Sequence, residues 1–170
     1  MFKKYVYLLI VPLFIVGISC IPFFHVIAFE NENSGKILAY YRIQHENEFS
    51  IRYTHSIHLS PVLETYKIGK NNTIIQTEIT YEEFGVGMPE NATGKEKFIQ
   101  KNGKYTITNM NRVHSFLDIR VGKVIANHTF IIDKNEIPFS SFVEPGSWVR
   151  VKIRKMNIWE MLKGGHIVDR

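Results

Sequence analysis

Apolar and polar positions follow two patterns along this chain, and the change between them falls near residue 30. Residues Tyr5 to Phe29 contain no Asp, Glu, Lys or Arg, and about 20 apolar residues suffice to cross a bilayer as helix. Beyond this run the period becomes two. Phe49-Ser50-Ile51-Arg52-Tyr53 alternates apolar with polar, and so do Ile75 to Tyr81, Leu117 to Val121 and Val149 to Ile153. Such alternation predicts half-buried strands with branched side chains inward, so that Ile51, Ile79, Ile119 and Val151 face one core. Turn residues separate these segments at Gly69-Lys70-Asn71-Asn72, Asn102-Gly103, Asp133-Lys134-Asn135 and Glu144-Pro145-Gly146-Ser147. The pattern predicts a mainly β fold of about eight to ten strands, an antiparallel sandwich or barrel-like domain after one N-terminal transmembrane or signal helix. Asn157 to Lys163 alone reads as a helical turn, with Ile158, Trp159 and Leu162 laid on the sheet.

The expected boundaries are residues 1–29 as signal anchor or signal peptide, 30–36 as linker, 37–163 as an extracytoplasmic β domain and 164–170 as tail. Lys3 and Lys4 precede the apolar run and Glu30 and Glu32 follow it. The positive-inside bias therefore predicts a single-pass cell-membrane protein held in lipid through residues 5–29, its C-terminal domain outside. Three processing fates compete: an uncut anchor, cleavage after Ala28 in Val26-Ile27-Ala28, and lipidation at Cys20.

Composition narrows the function classes. The formal charge of +5 comes from 21 Lys and Arg spread among 16 acids rather than gathered in a block, which argues against nucleic acid as a partner. Cys20 is the single cysteine, so neither an intramolecular disulfide nor a thiolate metal site is available. Three Asn-x-Thr triplets carry no weight in so Asn-rich a chain.

Polar chemistry is densest in Tyr53-Thr54-His55-Ser56-Ile57-His58-Leu59-Ser60-Pro61-Val62-Leu63-Glu64. On one strand, His55 and His58 would face opposite ways, so a shared metal needs a turn there. Ser56 lacks the Gly-x-Ser-x-Gly setting of an exposed nucleophile. Glu82 to Pro89 places Gly85 and Gly87 around unusual backbone angles, as a bulged turn or as a binding loop. Glu64 shares its alternation with Val62 and Tyr66, so its carboxylate points inward and needs a partner, since burial without one costs about 1 to 3 kcal/mol. His55, Glu64 and His128 are thus expected to converge on one partly buried polar site bordered by the Gly85 to Pro89 loop, with Ser56 close by. That site either binds a ligand or pins strands together.

Taken together, Tyr53-x-His55-Ser56, Pro61-Val62-x-Glu64, Gly85-x-Gly87-Met88-Pro89, Arg120-Val121-Gly122 and Asn127-His128-Thr129 resemble the Domain of Unknown Function 1850 family, from about residue 36 to 160. Its members are small exported bacterial proteins often encoded beside TRAP transporters that use a TAXI solute-binding protein. The resemblance implies a transporter accessory role, with the TRAP permease or the TAXI solute-binding protein as partner. No activity carries over, so His55, Ser56, Glu64, Gly85, Gly87 and His128 enter as ligand-binding candidates by motif position. The resulting expectation is a tethered, non-catalytic accessory domain without cofactor. A metal- or carboxylate-binding sensor module and an extracytoplasmic hydrolase are the alternatives.

Overall fold

The computed structural model of the protein describes residues 2–84, 87–125 and 127–167, with side chains from residue 10 onward. In chain order the elements are α1 (Phe2–Ser19), β1 (Phe24–Asn31), β2 (Ile37–Arg42), β3 (Glu48–Thr54), β4 (Pro61–Ile68), β5 (Ile74–Tyr81), β6 (Lys97–Lys101) and β7 (Lys104–Thr108). There follow β8 (Arg112–His114), β9 (Leu117–Arg120), β10 (Thr129–Ile132), β11 (Asn135–Pro138), β12 (Trp148–Met156), α2 (Ile158–Lys163) and β13 (Gly165–His166). The fold is mainly β, in two sheets. One has the order β13-β2-β1-β12-β9; the other runs β11-β10-β3-β4-β5-β7-β6, with β8 alongside β5. Among the described residues every pairing is antiparallel except β13 with β2.

The apolar run read as one span is divided. Its first part is α1, and its last part is β1, a central strand flanked by β2 and β12. Val26, Ile27, Ala28 and Phe29 are all fully buried, two on each face. Ile27 and Phe29 enter the core between the sheets, while Val26 and Ala28 pack outward with Tyr40, Met156 and Met161 beneath α2. A strand covered on both faces shows no alternation, which is why it extends the hydrophobic run. Residue 29 is therefore not a domain boundary, and cleavage after Ala28 would cut a core strand. Nor is 30–36 a linker. Glu30 and Asn31 complete β1, and the remainder is its turn into β2, closed by Asn31 N–H to Lys36 O at 2.8 Å and Gly35 N–H to Asn31 O at 2.8 Å. The expected tail also belongs to the fold, since β13 pairs with β2 and Ile167 is buried. Among the described residues no helix is long and apolar enough to cross a membrane.

The predicted strands appear as β3, β5, β9 and β12. Ile51 and Val151 lie in the inter-sheet core, Ile119 packs against its margin, and Ile79 falls in a second cluster. Phe29 anchors the main core through edge-on contacts with Phe130, Phe139 and Phe142 at 4.9 to 5.5 Å. On the outer face, buried Glu30 is neutralised by Lys152 at 2.6 Å and Arg154 at 2.8 Å, the pairing that a buried carboxylate requires. α2 reverses its expected orientation. Asn157 and Glu160 form a capping box at its start, but only Met161 packs inward, and Ile158, Trp159 and Leu162 are exposed.

Strand direction gives the paired sheets two ends. β1 starts at Phe24 opposite Met156 and finishes at Asn31 opposite Val149. The end where α1 enters, the base, also carries the β4–β5 connection, with His25 Nε2 lying 3.0 Å from Asn72 Oδ1. The β3–β4, β5–β6 and β9–β10 connections fall at the opposite end, the tip.

Candidate functional site

The β3–β4 hairpin closes at the tip. Thr54 pairs with Pro61, a position where a strand's first residue tolerates proline. The loop is held by His55 N–H to Ser60 O and Leu59 N–H to His55 O, both 2.9 Å. Leu59 takes φ 55°, a left-handed conformation that is costly for a bulky side chain. His55 Nδ1 faces the backbone N–H groups of Ile57 and His58 at 3.4 Å and accepts from them. The turn brings the His55 and His58 rings to 5.1 Å. His58 then reaches across to the β5–β6 loop, its Nδ1 3.1 Å from Glu83 Oε2. Ser56 is exposed on the same turn.

Residues 87–96 fold back under the tip. Tyr81 donates its hydroxyl to Pro89 O, and Met88 and Ala92 pack on the cluster of Val62, Ile79, Tyr81, Ile107 and Met110. Gly87 adopts φ +91°, a conformation that glycine supplies without strain; Gly85 lies outside the described residues. Farther along, Glu96 accepts from Thr93 N–H at 2.9 Å and pairs with Arg112 at 3.3 Å. The Thr93 N–H, with the Thr93 hydroxyl and Arg112, holds the Glu96 carboxyl below its usual range.

Glu64 lies one layer deeper, on the inner face between Ile51 and Ile79. Its inward direction matches the alternation, but its partners are not the expected imidazole. Tyr66 donates its hydroxyl to Oε2 at 2.7 Å, and Gln76 Nε2 donates to Oε1 at 3.4 Å. Burial pushes the Glu64 carboxyl above its usual range, against these two hydrogen bonds and the charge of Arg112. Burial and the Glu64 charge also raise the Tyr66 and Tyr53 phenols.

His128 is buried, stacked on Tyr53 at 5.2 Å and tilted against Phe139 at 5.8 Å. Tyr53 thus stands between His128 and Glu64, and these two of the three expected groups share one polar layer. His55 does not join them. It lies four residues beyond Ile51, the residue opposite Glu64, so roughly 13 Å along the strand at about 3.3 Å per residue. The expected single site is therefore two tiers: an exposed tip with His55, Ser56, His58 and Gly87, and a partly buried layer with Glu64, Tyr53, Tyr66, Gln76 and His128. Tyr66 was legible as the same-face neighbour of Glu64. Gln76 and Arg112 arrive only through strand pairing. Among the described residues no three His, Cys, Asp or Glu side chains come together as a metal-ligand group.

A model of the family described as Domain of unknown function (DUF1850) matches residues 49–139. The chain belongs to this family. The family match opens inside β3 and ends just past β11, so it takes in both tiers, the 82–96 loop and β9; β1, β2, β12 and β13 lie outside it. No curated protein and no solved structure matches the chain.

Proposed function

We propose that the protein is a membrane-tethered extracytoplasmic accessory domain, non-catalytic, that docks a component of a TRAP transporter of the TAXI type on its tip loops. The observation that carries this reading is the opposition of the two ends: the apolar helix enters at the base, and the family's motif segments gather at the tip. Ile10 to Ile18 of α1 present apolar side chains to the outside, as a helix does whose surroundings are lipid. At the tip, Ile57 and Leu59 are 64% and 62% exposed and Val124 84%. Apolar side chains held outward on neighbouring loops favour a protein surface over a small solute as the partner. The left-handed Leu59 supports the same reading, because strain is retained where a contact uses it.

Crosslinking in the native membrane from a photoreactive residue at position 57, followed by mass spectrometry, tests the proposal. A transporter permease or solute-binding protein should be captured, and the same residue placed at base position 45 should capture neither. Labelling equal at both positions, or none at 57, overturns it. Protease added to intact protoplasts should digest residues 24–170; a protected domain would reverse the orientation.

A further inference from the structure

The charge-free part of α1, Tyr5 to Ser19, is about 15 residues long, roughly 22 Å at about 1.5 Å per residue. A bilayer's hydrocarbon core is about 30 Å thick. The helix therefore falls short of spanning by itself, and the chain passes into β1 after only Cys20 to Phe23. The missing apolar length has to come from what surrounds the helix exit, and an apolar surface is present there. Ile21 and Phe23 are exposed, and beside them α2 turns Ile158, Trp159 and Leu162 outward, Leu162 being 73% exposed. The two parts are joined: Trp159 Nε1 donates to Ser19 Oγ at 2.8 Å, and Asn157 Nδ2 to Cys20 O at 3.3 Å. Cations border the patch. Arg42 stands over the Phe24 ring at 4.8 Å, and Lys155 is exposed at the same end of the sheet, opposite His25.

We propose that the base of the domain is seated in the outer interface of the bilayer, with Ile21, Phe23, Ile158, Trp159 and Leu162 at the level of the headgroups and upper acyl chains. This rests on the tethered reading and goes beyond it by making lipid the partner of α2. Each part has a physical reason. Short spans draw their flanking residues toward the bilayer, indole rings prefer the interface, and Arg42 and Lys155 meet anionic headgroups. The arrangement also fixes the height of the tip. β12 runs from tip to base over 9 residues, so the motif loops stand roughly 30 Å above the interface at about 3.3 Å per residue.

The two tryptophans lie at opposite ends, since Trp148 pairs with Arg120 near the tip. The full chain, reconstituted in phosphatidylcholine and phosphatidylglycerol vesicles with brominated acyl chains, therefore contains its own control. With Trp148→Phe, the remaining Trp159 emission should be blue-shifted and quenched several-fold by the brominated lipid; with Trp159→Phe, the remaining Trp148 should be quenched little. Circular dichroism must match between the variants. Vesicle-bound protein in which both tryptophans are quenched alike, or neither is, overturns the seating and leaves the tether intact. Trp159 shielded yet unquenched, with the chain crosslinking to itself, assigns the patch to a second copy and overturns it too. Failure to float with vesicles overturns the tether and this inference together.

Discussion

The inner face of the larger sheet carries two covers of different construction. Phe49, Ile51, Tyr66 and Ile74 meet the five-stranded sheet through Ile27, Phe29, Val149 and Val151. Val62, Ile79, Tyr81 and Ile107 meet instead Met110 and a loop that contributes Met88 and Ala92. A sheet presents its apolar residues on a continuous hydrogen-bonded frame, so each packs from several sides. A loop offers few side chains and depends on single bonds such as Tyr81 to Pro89 and Arg112 to Glu96. Stability should therefore reside under the first cover and adjustability under the second, with Glu64 at the boundary.

The severest way to break this comparison is to truncate β1. A chain lacking residues 1–28 should show no cooperative unfolding transition by circular dichroism, because β2 and β12 lose five of the 8 residues of the strand between them. Single substitutions then grade the two covers. Phe29→Ala should cost about 3 to 5 kcal/mol by urea unfolding, and Met88→Ala, removing a partly buried side chain from the loop, about 1 kcal/mol. Equal costs would erase the distinction.

Tyr81→Phe removes one hydrogen bond and should cost about 0.5 to 1.5 kcal/mol. Its sharper signature is regional. Amide exchange should accelerate in residues 87–96 and stay unchanged in β1; acceleration in both would mean that the loop belongs to the main core.

Two carboxylates give pH effects of opposite sign. Glu64 is raised above its ordinary 4.5 by burial, so the folded state holds its proton more tightly than the unfolded chain. The stability this contributes is present below 4.5 and is lost as pH rises through the raised value. Glu64→Gln should therefore flatten the decline and raise the melting temperature at neutral pH. Glu46 behaves in reverse. Burial alone would raise it, but hydrogen bonds from Gln44 N–H, Tyr41 OH and His45 N–H outweigh burial and bring it to about 2. Its contribution is present above 4.5 and is lost as pH falls toward 2, and Glu46→Gln should remove that acid-side loss. Melting temperatures of both variants from pH 3 to 8 check the two signs.

The smallest expected change in stability is at the tip, where Ile57→Ser should stay within about 0.5 kcal/mol of the parent. If the tip docks a partner, the same substitution should reduce crosslinking to it while the melting curve is unchanged. Loss of both together would return Ile57 to the packing of the fold.

The candidate residues were unequally legible. Glu64 pointed inward as its alternation required, because a strand's side-chain period admits no other face while Val62 and Tyr66 are buried. One of its hydrogen-bond partners depended on register. Tyr66 follows from the same alternation, but Gln76 reaches it only because Thr77 bulges out of β5, shifting the pairing between Thr65 and Tyr66, and no spacing in the chain announces that shift. His55 sat near Glu64 in sequence and far from it in the fold, since the strand between them runs away from the tip.

What the sequence determined by itself were the elements whose two faces differ: β3, β5, β9 and β12 announce themselves because one side meets the core and the other water, and their turns carry residues that tolerate reversal. The tertiary structure alone decided the fate of segments without such a contrast. Tyr5 to Phe29 is apolar throughout, and hydropathy records that a side chain leaves water without recording what covers it. Protein covers both faces of Val26 to Phe29, whereas Ile10 to Ile18 are left bare. α2 poses the inverse case: its Ile158, Trp159 and Leu162 have the spacing of a buried face, yet the side that reaches the sheet is the one bearing Met161, because the capping box at Asn157 and the β13 pairing with β2 fix how the short helix lies.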